Sequence, residues 1–204
     1  MKDTIRKEYR NVYEASNRKI TTVNVPEFNF LMIDGVGNPR VDEFKQKSEA
    51  LRIMSREVRD YFRKAKNMNY LISPLEGIWD TYDEEHFDVN RKTDIKFTLM
   101  IAQPKLLDQN TFNTIRERVI AKKSNPYLKD IYVKRMHEGE CVQMLHKGTY
   151  QSEIDTTKRI MEYITVQNMK LNGFHHEIYL NDPEKVKPEK LKTIVRYPVE
   201  EQEV

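Results

Sequence analysis

"GFHHEIYLNDP", residues 173–183, decides how the second half of the chain folds. Its centre reads as a strand, whose side chains alternate between two faces. His176, Ile178 and Leu180 share one face; His175, Glu177 and Tyr179 share the other. The first set reads as a core face. The second places a carboxylate between an imidazole and a phenol, which a plain solvent-facing strand does not require.

Working outward, "SEIDTTKRIMEYITVQNMKL" reads as a helix. Ser152 is its expected N-cap, Asp155 its third helical residue, and Ile154, Met161, Ile164 and Leu171 its inner face. Before it, residues 131–148 hold two strand-like runs about a turn at Glu138-Gly139. After it, "LKTIVRYPV", residues 191–199, is the last strand. The first half repeats this order. "NFLMIDGVG", residues 29–37, is a strand closed by a glycine turn. Phe44, Ser48, Leu51, Ser55, Val58, Phe62 and Ala65 predict one face of a helix over 41–65, introduced by Asn38-Pro39. "EGIWDTYDEE" and "DIKFTLMIAQP" follow as strands. A shorter helix over 108–123 carries Phe112, Ile115 and Val119 on one stripe. Residues 1–20 read as a charged helix or arm, and the tail "EEQEV" as frayed.

The expected fold class is therefore α+β: a single domain, residues 1–204, of two β-α-β-β units at approximately 21–107 and 129–200. Units of about 70–80 residues cannot bury both faces of their sheets alone. Pairing strand to strand, they form one antiparallel sheet with helices on one face. A ligand cleft then lies at the pseudo-twofold, expected on the face away from the helices. Glu177 would line it, as would Trp79 at the corresponding place in the first unit, with Ile78 turned to the core.

The 204 residues carry 35 basic and 32 acidic side chains, a net charge of +3, too balanced for a nucleic-acid partner. No apolar run approaches the roughly 18–20 residues that span a bilayer. The N-terminus has no apolar signal core, and the single cysteine, Cys141, allows no internal disulfide. A cytoplasmic, bacterial setting fits. "DGVGNP" lacks the third glycine of a dinucleotide loop. His175 and His176 point to opposite faces and cannot share an ion, so neither metal nor cofactor is expected.

The "DGVGNP" turn, "PLEGIW" at 74–79, "FTLMIAQP" at 97–104, "EGECVQMLHKGTYQSEIDT" at 138–156 and "HHEIYLNDPEKVKPEKLKTIVRYPV" at 175–199 carry a resemblance over nearly the whole chain. The chain resembles the GyrI-like small-molecule-binding domains, in their free-standing branch without a helix-turn-helix domain. The resemblance implies a duplicated β-α-β-β fold with a cleft at the symmetry axis and a glutamate, here Glu177, within it. It also implies hydrolysis of cyclopropane-bearing, DNA-alkylating compounds of the yatakemycin and duocarmycin kind, a detoxifying, drug-resistance activity. Other members of the family only bind drugs, dyes or a protein target.

Within that frame Glu177 is the candidate catalytic carboxylate, its pKa expected to rise among aromatic walls. Glu153, in the first turn of the second long helix, is the candidate partner carboxylate. Paired carboxylates in different environments divide acid and base work, though sequence leaves open which does which. Trp79, Tyr150 and Tyr179 are expected to hold a flat, hydrophobic aromatic ligand. His146 is a further candidate for ligand contact, and Gln103, like Glu76, lies near the cleft, at its rim or inside it. Oligomeric state is not readable. The charge balance makes one prediction: a gel-shift at low salt gives no tight, salt-sensitive complex with DNA, and such a complex would overturn the exclusion.

Overall fold

A computed structural model describes residues 8–37, 42–80 and 95–202. The strands are β1 (Thr21–Val25), β2 (Phe28–Val36), β3 (Leu75–Asp80), β4 (Lys96–Gln103), β5 (Tyr132–Met136), β6 (Gly139–Lys147), β7 (Met169–Leu171), β8 (His175–Tyr179) and β9 (Lys192–Glu201). The helices are α1 (Arg10–Tyr13), α2 (Asp42–Lys66), α3 (Gln109–Ile120) and α4 (Glu153–Val166). The fold is α+β. All strands join one antiparallel sheet in the order β1-β6-β9-β8-β3-β4-β2-β5, with β7 against the end of β9. The order is symmetric about the β8·β3 pair, where the second unit meets the first. Among the described residues no helix is long and apolar enough to cross a membrane.

β1 begins this order and β2 stands next to its other end, yet only Pro26 and Glu27 separate them. β5 and β6 are likewise separated by His137 and Glu138 alone. Two residues of chain reach only about 7 Å, so the two ends of the sheet must be neighbours. The register agrees: pairing runs Thr21↔Gln143 to Val25↔Gly139, then resumes at Phe28↔Met136 and continues to Met32↔Tyr132. Two long bent strands, β1–β2 and β5–β6, thus pair along their length. They curl the sheet into a closed ring.

The long helices pack outside this ring. Along α2, Ser48, Leu51, Ser55, Val58 and Phe62 are buried at the anticipated spacing, while Ala65 is exposed beyond the last buried turn. Leu51, Val58 and Phe62 join Phe112, Ile115 and Val119 of α3 over Leu31, Ile33, Trp79, Phe97 and Leu99. Under α4, Ile160 and Ile164 meet Val142, Met144, Val195 and Tyr197. The inner stripe of α4 is Glu153, Thr156, Ile160 and Ile164, not the expected line through Ile154, which is 38% exposed. The helix ends at Val166, so Leu171 belongs to β7. Ser152 precedes the helix without capping it; its Oγ donates to Thr149 O at 2.8 Å. The Asn38-Pro39 turn, residues 81–85 of "EGIWDTYDEE" and the end of the tail lie outside the described residues.

The face away from the helices is not the open groove expected from the alternation. It is the ring's interior. Val23, Val25, Phe28, Phe30, Met32, Met100, Ala102, Cys141, Ile178 and Ile194 fill it, with Val12 and Tyr13 of the N-terminal segment. A buried polar chain crosses the same space. Tyr13 Oη donates to Glu76 Oε1 (2.9 Å), and His176 Nδ1 meets Glu138 Oε1 (2.8 Å). Arg196 Nη1 donates to Glu138 Oε2 (3.0 Å), Arg196 Nε to Gln143 Oε1 (3.1 Å), and Arg196 Nη2 to Val12 O. His176 Nε2 lies 3.1 Å from Glu76 Oε2 but out of line for a hydrogen bond. Glu76 is therefore an interior residue, on the face opposite Glu177.

Burial alone would raise the Glu138 pKa; the His176 and Arg196 charges and hydrogen bonds outweigh it and hold the carboxyl down at about 2. A depressed carboxylate stabilises the fold above its ordinary pKa of 4.5, and that stabilisation is lost as pH falls from there through about 2. Arg196→Met removes one of the two charged partners of buried Glu138 and leaves only His176. Urea denaturation at neutral pH should show a loss of about 3–5 kcal/mol, the cost of breaking a buried pair from one side. A loss within error of zero would show that the N-terminal segment and ring interior hold without this ion pair.

Candidate active site

On the outer face, β8 sets three side chains in a row over the seam between the units. His175 stands opposite Trp79, Glu177 opposite Gly77 and Tyr179 opposite Leu75. On its other side β8 pairs with β9, placing Glu177 beside Val195. Outside the ring, the apolar cluster under α2 and α3 ends on one side of this row and that under α4 on the other.

The fourth member arrives from α4. Glu153 is its first residue, buried, with its side chain turned down onto the sheet. His146 fixes this helix start: its Nδ1 meets Thr156 Oγ1 at 2.9 Å and its Nε2 meets Thr149 O at 3.0 Å. Both ring nitrogens are thereby occupied, so His146 braces the helix start instead of facing a ligand.

His175 sits between the two carboxylates. Its Nε2 is 3.0 Å from Glu177 Oε1 and 3.5 Å from Glu153 Oε1. Its Nδ1 is hydrogen-bonded to the Tyr197 hydroxyl. Burial disfavours a charged imidazole, but Tyr197 and the two carboxylates outweigh burial and raise the His175 pKa. The glutamates then part company. Burial and the neighbouring Glu177 charge push Glu153 up to about 8. Burial pushes Glu177 the same way, but hydrogen bonds from His175 and Tyr179 and the His175 charge bring it below the ordinary range. At neutral pH one carboxyl keeps its proton and its neighbour is ionised. The expected rise at Glu177 thus falls on Glu153 instead, because His175 serves Glu177 more closely.

Tyr150, 39% exposed, stands at the outer end of the group, its phenol pushed up to about 12 by burial and by the Glu177 and Glu153 charges. Tyr179 bonds Glu177. Trp79 is 3% exposed, and its ring faces are already taken: Phe44 stacks on it at 5.9 Å and Phe97 lies at 5.5 Å. It therefore offers the site its indole edge, not a stacking wall. Gln103 lies apart, at the end of β4, with Nε2 donating to Ser55 Oγ (3.3 Å) and Ile101 O (3.1 Å). A cavity of about 520 Å³ opens nearby, at the end of the sheet beyond Trp79, with Asp34, Lys47, Phe97 and Phe174 in its wall. Neither glutamate lines it; both are buried.

Glu153, His175 and Glu177 each present a donor atom within 4.8 Å of the others, so the set could accept a divalent ion. Such an ion would have to displace the proton that His175 Nε2 offers Glu177. His176 contributes nothing here, since it points into the ring. Two participants escaped the sequence reading, His175 as the charge between the glutamates and Tyr197 behind it. Alternation in "TIVRYPV" puts Tyr197 on the face of Val195, which was the available signal.

The GyrI-like small molecule binding domain matches residues 18–200. No curated protein matches the chain. A solved structure of a conserved, uncharacterized Listeria innocua protein is 31% identical, covering 98% of this chain and 100% of its own, with a TM-score of 0.89. Two solved structures described as hydrolases from the same organism are 28% and 29% identical, with TM-scores of 0.85 and 0.87. Each again covers 98% of this chain and 100% of its own.

The split between the glutamates has a direct readout. With ¹³C-labelled glutamate side chains, one carboxyl should titrate near pH 8. Its signal should vanish in Glu153→Gln and move to lower pH in Glu177→Gln, where the neighbouring charge is gone. If every carboxyl titrates in the ordinary range, the two glutamates do not share a buried proton.

Proposed function

Because the chain belongs to the GyrI-like small-molecule-binding family, we propose that it is a cofactor-independent hydrolase that opens the cyclopropane ring of flat, aromatic, DNA-alkylating compounds. One observation carries this reading: two buried carboxyls, Glu153 and Glu177, flank His175 Nε2 at 3.5 and 3.0 Å, in surroundings that push the first pKa up and hold the second down. The two Listeria hydrolases, similar over their whole length, support hydrolysis as the reaction class.

Ionised Glu177 takes a proton from water. The water oxygen bonds to the least hindered cyclopropane carbon, and the ring C–C bond breaks. Its electron pair passes into the conjugated carbonyl, and the oxygen that becomes phenolate takes the proton held by Glu153. One water is added and no redox partner is needed. Ring strain supplies driving force, so the protein's share is orientation and proton placement. Tyr197 and His175 act one step back, keeping Glu177 charged. Tyr150 and the loop after β8 form the entry. That loop, residues 181–191, is tied to α2 by the solvent-facing pairs Lys45–Glu184 (2.7 Å) and Arg52–Asp182 (3.7 Å), which an entering ligand can displace cheaply.

A second reading, drug sequestration in a cytoplasmic setting, draws on the same buried carboxylate, which can hold a cationic ligand without chemistry. Turnover separates the two. Incubated with excess cyclopropane substrate of the duocarmycin kind, the protein should form many equivalents of ring-opened product. Glu177→Gln should keep affinity for a non-reactive analogue while losing about 10²–10⁴-fold in rate. The rate should plateau at neutral pH and fall as Glu153 loses its proton near pH 8. Product limited to one equivalent would leave binding as the function. Multiple turnover undiminished in Glu177→Gln would remove the role assigned to that residue.

A further inference from the structure

Gly77 lies opposite Glu177 across the central seam, and two polar atoms lean over it. A Cβ placed on Gly77 would meet Tyr179 Oη at 3.1 Å and Trp79 Nε1 at 3.2 Å, with Leu99 Cδ2 at 3.5 Å. The missing side chain lets both atoms approach one stretch of strand. The indole N–H is buried and has no hydrogen-bond partner. Buried donors are nearly always satisfied, and one that is not marks a place for water or ligand. Phe44 and Phe97 hold the ring, so this N–H cannot swing away to find another acceptor.

The chemistry of the neighbours selects what fits. An indole nitrogen only donates. The Tyr179 hydroxyl is hydrogen-bonded to Glu177, and an ionised carboxylate only accepts, so the hydroxyl proton is already committed. What Tyr179 and Glu177 offer to a newcomer is therefore lone pairs. A carbonyl or phenolate oxygen here would find one donor and face two acceptors. A group that both accepts and donates satisfies all three.

We propose that a water molecule docks over Gly77, accepting from Trp79 Nε1–H and donating to Glu177 and the Tyr179 oxygen, and that this water is the nucleophile. This rests on the hydrolase reading for its second half only. The indole bond uses one lone pair and leaves the other for the substrate carbon. The proton released as the new C–O bond forms goes to Glu177, already its hydrogen-bond acceptor. Trp79 thus acts as a positioning residue through its N–H, and Gly77 through the space it leaves.

The chain has one tryptophan, so its indole proton gives a single ¹⁵N–¹H signal. In the intact protein this signal should show magnetisation transfer from a long-lived bound water. Gly77→Ala should abolish the transfer while the indole signal remains. The added methyl asks only small shifts of two side-chain ends, so the variant should fold. In the cyclopropane assay, Gly77→Ala should lower kcat at least tenfold with KM little changed. Trp79→Phe, which keeps an aromatic ring between Phe44 and Phe97, should lower kcat about five- to tenfold, the worth of one hydrogen bond. No water transfer in the unmutated protein would overturn the docking site. Water transfer with unimpaired turnover by Gly77→Ala would overturn its role as nucleophile. Water transfer in a protein that never turns over would defeat the hydrolase reading and leave the hydration site standing.

Discussion

The antiparallel pairing of β3 with β8 is the constraint on which the rest of the molecule depends. It joins the two units at the middle of the sheet order, so β8 is buried on both faces, and His175, His176 and Glu177 are all withdrawn from water. Withdrawing ionisable groups is costly unless each finds a partner. The ring interior meets most of that cost, with only His176 Nε2 out of line for a hydrogen bond among the atoms of its polar chain. His176 and Arg196 balance Glu76 and Glu138, and the N-terminal segment supplies the remaining acceptors through Val12, Asn11 and Glu14 carbonyls. The outer face does not. There two carboxyls confront one imidazole, and the imbalance is resolved by leaving a proton on Glu153. Two polar clusters a strand's thickness apart thus have different fates. One is a closed structural network; the other keeps an exchangeable proton.

The order of strands and helices was legible because each element has a clear period. The alternation of β8 told which residues share a face, and the spacing in α2 told which turn inward. Neither states which face of the sheet the helices take, since a period of two is symmetric between faces. The deciding information lies in the two-residue links at Pro26–Glu27 and His137–Glu138. They force closure, and they read in sequence only as turns. The N-terminal segment was equally opaque: a charged stretch reads as a solvated arm, and only Val12 and Tyr13 give it an inward side.

The site was legible in part, for reasons that differ by residue. Glu177 stands out because its strand neighbours are aromatic. Glu153 is consistent with a helix start whatever its role. Trp79 invites a stacking role until Phe44 is seen to arrive from α2, thirty-odd positions away, a packing event that no local pattern records. His146 looks like a site histidine until Thr149 and Thr156 close around both its nitrogens. His175 was obscured by its neighbour. The His175-His176 pair reads as one feature, yet alternation sends the two rings into separate chemical worlds.

Ring closure also bears on solubility. An open sheet ends in rows of unpaired N–H and C=O groups, templates for another chain. Here the two bent strands pair along their length, so among the described residues of the main sheet only the short strands β1 and β5 keep one side without a strand partner. Either unit alone would be a short open sheet with two raw margins, one from the β3·β8 seam and one from the seam opposite. The second copy of the β-α-β-β pattern therefore does more than complete a binding surface. It also pairs the β3 margin that the first copy alone would leave open.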